Sequence, residues 1–170
     1  QPVDSAEDKI STLIDQDIIT SFGLFWRKDM VDWSSSKPEV LGTTNPLSNS
    51  PVDFYDQSGI YVLYFYDKPL YVGRSEQSIG NRLANHAKKN DKLVERWNYF
   101  SWFGTKPIIA DTGKLSDQQP SYNTESFIKV LEAIMIKLLE PIKNYKDGDG
   151  IKDFEFYQYP SPSFIKKKFY

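Results

Sequence analysis

Cysteine is absent from this chain of 170 residues, and histidine occurs only once, as His86. The absence of thiols excludes disulfide bonds, thiolate zinc sites and a cysteine nucleophile, and a cytoplasmic protein fits that composition best. No apolar run approaches the roughly 20 residues that cross a bilayer, so no membrane partner is expected. Hydrophobic residues nevertheless make up 39% of the chain and aromatic residues 15%, which is enough for a packed core.

Arginine is scarce and unevenly distributed. The chain has four arginines, and three of them (Arg74, Arg82 and Arg96) fall within 23 residues. A net charge of −2 and a pI near 5.5 count against a protein that coats nucleic acid without specificity. They remain compatible with an enzyme that carries a local basic patch.

The chain is expected to divide into two regions. Residues 4–22 have apolar side chains at helical spacing, which predicts a helix. Residues 34–52 are rich in serine, proline, glycine and asparagine, which is typical of a loop. We therefore expect an N-terminal helical arm and loop at 1–52 and a domain at 53–170.

The second region carries alternating and β-branched stretches that predict strands, followed by helical patterns. Strands are predicted at 59–66, 70–73, 97–103 and 153–159, the first two forming a hairpin. Helices are predicted at about 78–90 and at 124–140. The second helix is expected to end at Pro141, because proline cannot continue a helix.

Two tyrosines and two helical residues are candidates for a site. Tyr61 and Tyr71 face one cleft if the register of the hairpin permits, although tyrosine also favours strands for structural reasons alone. Arg82 and His86 lie four residues apart and therefore share one face of the following helix. An arginine in that position suits bidentate contact with a phosphate, and a solvated polar face is the alternative.

Glu132 is the most informative single residue, because its neighbours in the predicted helix are apolar. An ionised carboxylate in such surroundings is costly unless a cation or hydrogen bonds compensate. A bound Mg²⁺ or Mn²⁺ would compensate it, and we favour that interpretation. An ion pair with Arg82 is the alternative.

Taken together, these residues resemble the GIY-YIG nuclease family. The matching segments are GIYVLY at 59–64, YVGRS at 71–75, IGNRLANH at 79–86, LEAIMIKLLEP at 131–141 and Asn144 just beyond. The resemblance covers roughly residues 57–145, with Val72 in place of the isoleucine of the name-giving pattern. It implies an α/β (α+β) fold with a small central mixed three-stranded sheet flanked by helices, here preceded by the N-terminal helical arm.

The resemblance also implies roles for individual residues. Tyr61 and Tyr71 would contact the scissile phosphate and the attacking water, one of them as general base. Arg82 would stabilise charge on the phosphoryl oxygens. His86 would relay a proton or position water. A tyrosine base requires a nearby arginine or metal to lower its pKa from about 10.

Further expected roles concern the metal and the substrate. Glu132 would bind a single Mg²⁺ or Mn²⁺ ion, and Asn144 would anchor the segment after the helix. Arg74 occupies a position that is often basic in the family and would contact a phosphate. Candidates for contact with backbone phosphates beside the cleft are Lys88, Lys89, Lys92 and Arg96, although a solvated surface explains them equally well.

The predicted function is therefore a metal-dependent endonuclease that hydrolyses DNA phosphodiester bonds. Two alternatives stay open: a catalytically inactive nucleic-acid-binding module of the same fold, and a nuclease that cleaves RNA. The sequence contains no GxSxG, HExxH or GxxxxGK[ST] motif, so other hydrolase classes find little support. Whether the active unit is a homodimer is not decided by these features.

Overall fold

The computed structural model describes residues 19–45, 50–118 and 155–169. Within those ranges the chain forms mainly short and medium strands with two α-helices. The strands are β1 Ser21–Arg27, β2 Leu41–Thr43, β3 Val52–Asp53, β4 Gly59–Phe65, β5 Lys68–Ser75, β6 Tyr99–Gly104, β7 Ile108–Ile109, β8 Lys114–Leu115 and β9 Tyr157–Gln158. The helices are α1 Ile79–His86 and α2 Pro162–Phe169, and a single 3₁₀ turn spans Lys28–Met30.

The largest sheet has four strands in the order β1–β6–β4–β5, and every neighbouring pair is antiparallel. Strand β4 is central, and its sequence GIYVLYF is apolar at successive positions. Such a strand is stable where both faces of the sheet are covered. A three-stranded sheet, β3–β2–β9, and a two-stranded pair, β7–β8, complete the described part of the chain.

Both faces of the four-stranded sheet are buried by different residues. On one face, Tyr61 and Leu63 of β4 pack in a large cluster with Ile79 and Leu83 of α1 and with Trp102 of β6. The opposite face holds a smaller cluster, formed by Ile19, Phe22 and Phe103 with Leu24 and Ile60 packed against it. Helix α1 therefore covers the face that carries Tyr61.

The fold class predicted from the sequence is wrong. The central sheet has four strands rather than three, and its pairing is antiparallel rather than mixed. Three further antiparallel pairings account for the five remaining described strands. The described residues are thus mostly β-structure and are not a helix-flanked three-stranded sheet.

The N-terminal helical arm is also wrong where the structure describes it. Residues 21–27 form β1, which pairs along β6, while residues 1–18 lie outside the described ranges. A bulge between Gly23 and Trp26, with Phe25 at a φ of 51°, breaks the alternation that would have marked this strand. Pairing with β6 supplies the backbone hydrogen bonds that a helix would otherwise have provided.

The hairpin and the elements next to it agree with the sequence prediction. Strands β4 and β5, helix α1 and strand β6 lie where they were expected, although α1 ends at His86 rather than near residue 90. Of the predicted strand at 153–159, the residues that the structure describes, 155–159, contain a strand at Tyr157–Gln158. The predicted helix at 124–140 lies outside the described residues. No helix in the described ranges is long and apolar enough to span a bilayer.

Candidate active site

Tyr61 occupies the centre of the candidate site. Its side chain is 1% exposed, and it lies on β4 directly opposite Gly73 of β5. A Cβ atom at position 73 would lie 2.3 Å from the Tyr61 hydroxyl oxygen, so the phenol extends across space that only glycine leaves open. Tyr71 lies two residues from Gly73 on the same face of the sheet, with its ring centroid 6.1 Å from that of Tyr61 and 40% of its surface exposed. The two predicted tyrosines therefore meet.

Helix α1 brings His86 to these tyrosines. Ser78 caps the helix by accepting a hydrogen bond from the Asn81 N–H at 3.0 Å, and Leu83 fixes the buried face. His86 is the last residue of the helix, with Nε2 lying 3.1 Å from the Tyr61 hydroxyl oxygen. Its ring centroid lies 5.0 Å from that of Tyr71. All three rings therefore belong to one cluster.

Asp91 completes the cluster, and the sequence analysis missed it. Its Oδ2 lies 3.2 Å from Nδ1 of His86, while its Oδ1 accepts a hydrogen bond from the Leu93 N–H at 2.7 Å. The Trp97 indole N–H also donates to the His86 carbonyl oxygen at 3.1 Å and holds the end of the helix. The available signal was the only histidine of the chain with a carboxylate five residues later, just beyond the helix end.

The pKa of Tyr61 is shifted in the direction opposite to the one that a tyrosine base would need. Burial raises the pKa of the Tyr61 phenol well above its ordinary value, and the neighbouring Tyr71 raises it further. The charge of Arg82 acts in the opposite direction but is outweighed. The phenolate form of Tyr61 is therefore scarcer at neutral pH than that of a free tyrosine.

The predicted cationic residues separate into two groups. Arg82 lies exposed on α1, on the side from which its charge reaches the Tyr61 hydroxyl. Arg74 pairs with Ile60, and the alternation of β5 directs it to the opposite face of the sheet from Tyr61. Lys88 and Lys89 lie exposed just beyond α1, and the Lys88 ammonium donates to Asn85 at 2.8 Å.

The described part of the chain contains no set of side chains that could hold the predicted metal ion. No group of three or more histidine, aspartate or glutamate side chains lies close enough there to hold an ion. Asp91 supplies a carboxylate to the cluster, but both of its oxygens already have partners: Nδ1 of His86 and the Leu93 N–H. Glu132, the predicted ligand, and Asn144 lie outside the described residues. A metal site thus stays a prediction from the sequence.

Comparisons of this chain with models of protein families, with curated proteins and with solved structures return no match. The resemblance to GIY-YIG nucleases therefore stays a prediction. Arguments about function rest on the residues of the site itself.

Proposed function

We propose that this chain is a nuclease that hydrolyses phosphodiester bonds in DNA at the Tyr61–Tyr71–His86 cluster. The observation that carries the proposal is the contact between the buried Tyr61 hydroxyl and Nε2 of His86, with Tyr71 at the exposed end and the charge of Arg82 nearby. A buried phenol held on an imidazole is an arrangement suited to moving a proton. The absence of cysteine favours a cytoplasmic location for this activity.

The chemistry of phosphodiester hydrolysis matches these groups. Attack on phosphorus requires a water that loses a proton, and it builds negative charge on the phosphoryl oxygens. Tyr71 is the member of the cluster that is open to solvent, so it is the group that a water and a phosphate would reach. The guanidinium of Arg82 suits the oxygens of that phosphate, because its planar donors match their geometry.

The predicted metal ion has a separate place in the proposal. An ion held by Glu132 would stabilise charge on the phosphate as a Lewis acid. The side chains of Tyr61, Tyr71, Arg82 and His86 would act without contact to that ion.

The site favours catalysis over a purely binding role. A module that only binds nucleic acid needs exposed cationic side chains. Binding alone does not require a phenol that is almost completely buried against an imidazole. The same residues would act on RNA as readily as on DNA, so the choice of DNA rests on the resemblance stated for the sequence.

Cleavage assays test the proposal directly. Supercoiled DNA, linear DNA and single-stranded RNA are incubated with the protein in Mg²⁺ or Mn²⁺, with Arg82→Ala and Glu132→Ala alongside. Arg27→Ala, at an exposed arginine of β1 outside the arginine cluster, is the control. We expect DNA cleavage that both test variants lose by about 10²-fold or more and that the control keeps. Cleavage confined to RNA would redirect the proposal to an RNA nuclease. No cleavage, with metal-independent DNA binding retained, would overturn it in favour of a binding module.

A further inference from the structure

Asp91 constrains the protons of the cluster in a way that the proposed function does not require. A carboxylate that is ionised can only accept hydrogen bonds. Its Oδ2 faces Nδ1 of His86 at 3.2 Å, so the favourable arrangement has the proton on Nδ1. In a neutral imidazole the other nitrogen, Nε2, then carries a lone pair. That lone pair faces the Tyr61 hydroxyl at 3.1 Å.

The orientation of the tyrosines follows from this tautomer. The Tyr61 hydroxyl has one proton, and with Nε2 as acceptor it donates that proton to His86. Its oxygen then keeps lone pairs that can accept a hydrogen bond from Tyr71, whose ring centroid lies 6.1 Å from that of Tyr61. In this arrangement Tyr71 donates inward and presents a lone pair to the solvent side, where the residue is 40% exposed.

We infer that His86, with Asp91 as its positioning residue, is the proton acceptor of the site, and that Tyr61 and Tyr71 relay the proton from water. This inference rests on the proposed nuclease function and gives its base a definite identity. The tyrosines need not exist as phenolates at any stage, since each gives up one proton as it receives another. The raised pKa of Tyr61 is therefore compatible with this role.

The proton balance of the step is complete. As the water oxygen forms its bond to phosphorus, the water proton moves to Tyr71, the Tyr71 proton moves to Tyr61, and the Tyr61 proton moves to Nε2 of His86. The ester P–O bond breaks, and the leaving oxygen takes a proton from solvent. His86 is left as an imidazolium between the Asp91 carboxylate and Tyr61, and it returns its proton along the same chain or to solvent after the product leaves.

The charged and titratable groups around His86 are consistent with this assignment. Among the described residues, Asp91 faces Nδ1, Tyr61 faces Nε2 and the Tyr71 ring centroid lies 5.0 Å from that of His86. Arg82 stands one helical turn earlier on α1, and its positive charge acts on Tyr61. The carboxylate of Asp91 is the group that stabilises the imidazolium, much as a buried aspartate orients the histidine of a hydrolase triad.

The single histidine of the chain makes a direct test practical. ¹⁵N-histidine labelling of the full chain yields imidazole signals from His86 alone, and their long-range ¹H–¹⁵N couplings report which nitrogen carries the proton. We expect the Nδ1–H tautomer in the wild-type protein. A wild-type Nε2–H tautomer would overturn the inference.

Asp91→Asn is the decisive variant, because the structure fixes how the new amide must lie. The Leu93 N–H needs an acceptor at Oδ1, so the amide oxygen stays there and the NH₂ group faces His86. An NH₂ donor opposite Nδ1 reverses the tautomer to Nε2–H. Asp117→Asn, an exposed aspartate, is the matched control and should leave the signals unchanged. An unchanged tautomer in Asp91→Asn would contradict the assignment.

Tyr61→Phe separates the relay from the tautomer. This variant keeps the Asp91 contact, so His86 should remain Nδ1–H, while the interrupted relay should lower kcat by about 10²- to 10⁴-fold with KM nearly unchanged. Full turnover in Tyr61→Phe would overturn the relay. A wild-type protein that cleaves no substrate would contradict the nuclease proposal. It would leave the assigned tautomer of His86 intact, because the tautomer measurements do not depend on activity.

Discussion

Gly73 lies directly opposite Tyr61 in the β4–β5 pairing, and a Cβ atom at position 73 would lie 2.3 Å from the Tyr61 hydroxyl oxygen. The requirement for glycine here comes from the close approach of the phenol and not from an unusual φ, since the positive-φ glycines among the described residues are Gly59 and Gly113. Gly73 of β5 and the buried Tyr61 of β4 are thus physically coupled. Substitution at either position is expected to disturb the other.

Gly73→Ala tests that coupling. The added methyl group must displace the Tyr61 ring, and overpacking of this kind costs about 1–3 kcal/mol in the free energy of unfolding. Displacement of the hydroxyl from His86 should also reduce cleavage more than the stability loss explains. Urea denaturation and cleavage rates measure the two effects.

Gly113→Ala is the matched control for this substitution. Gly113 has no atom within 4 Å of a Cβ position, and its φ is 64°. The alanine therefore adds backbone strain of about 1 kcal/mol without touching the site, and cleavage should survive. Wild-type stability and cleavage in Gly73→Ala would show that Tyr61 has room to move and would refute the coupling.

Arg82 and Arg74 offer a matched pair of substitutions on the two faces of the sheet. The charge of Arg82 reaches Tyr61, whereas Arg74 belongs to the face of Ile60. We expect Arg82→Ala to lower kcat by about 10²-fold, because transition-state charge loses a donor. Arg74→Ala should keep the wild-type kcat.

Steady-state kinetics on one DNA substrate distinguishes the two arginines. A raised KM in Arg74→Ala would support the phosphate contact predicted from the sequence, made away from the reacting group. An equal loss of kcat in both variants would mean that the face of the sheet on which each arginine lies does not determine its effect on catalysis.

The part of the site that the sequence predicted depends on local patterns. The β-branched and aromatic residues of 59–65 and the cap at Ser78 act over a few residues, so β4 and the start of α1 follow from them. Arg82 and His86 share a helix face by spacing alone. Whether Tyr61 and Tyr71 share a face depends instead on the register of β5, which pairs Leu63 with Tyr71.

Long-range pairing explains what the sequence did not predict. Strand β1 exists because it pairs with β6, some 76 residues later, and its bulge hides the strand pattern. Asp91 reaches His86 only because the chain turns after α1. The face of Arg74 depends on the register of β5. None of these relations is encoded in the spacing of neighbouring residues.

Gln57 is expected to be a major contributor to stability, although it lies outside the candidate site. Its side chain is fully buried, and its Oε1 accepts hydrogen bonds from the Ser58 N–H at 3.0 Å and the Lys106 N–H at 2.8 Å. Its Nε2 donates to the Lys106 carbonyl oxygen at 3.1 Å. Gln57→Leu removes all three hydrogen bonds and takes away the acceptor of the buried Lys106 N–H, which costs about 1–3 kcal/mol. The Lys106 carbonyl oxygen keeps the Thr20 hydroxyl as a donor at 2.8 Å.

Chemical denaturation checks this prediction against an exposed glutamine. Gln118→Leu makes the same change at the surface and should shift the free energy of unfolding by less than about 0.5 kcal/mol. Gln57→Leu should lower it by at least about 2 kcal/mol. Equal effects of the two substitutions would mean that water replaces the lost hydrogen bonds of Gln57.

The pH dependence of stability at alkaline pH should report the burial of Tyr61. Burial raises the pKa of Tyr61 in the folded chain, while the unfolded chain titrates near 10. The unfolded chain therefore loses its proton first, and the stabilisation is complete below pH 10 and is lost as the pH rises through the folded pKa. Burial raises the pKa of Tyr64 as well, so each tyrosine contributes a loss of up to about 1.4 kcal/mol per pH unit.

Tyr61→Phe and Tyr64→Phe should each remove one part of that alkaline loss. The measurement is the free energy of unfolding in urea from pH 7 to 11, taken as the difference between each variant and the wild-type protein. This difference should be constant below about pH 9.5, where both tyrosines keep their protons in the folded and unfolded chains. Above pH 10 it should change in favour of the variants, because phenylalanine has no proton to lose. A difference that stays flat to pH 11 for Tyr61→Phe would mean that the Tyr61 hydroxyl is reached by water in the folded protein.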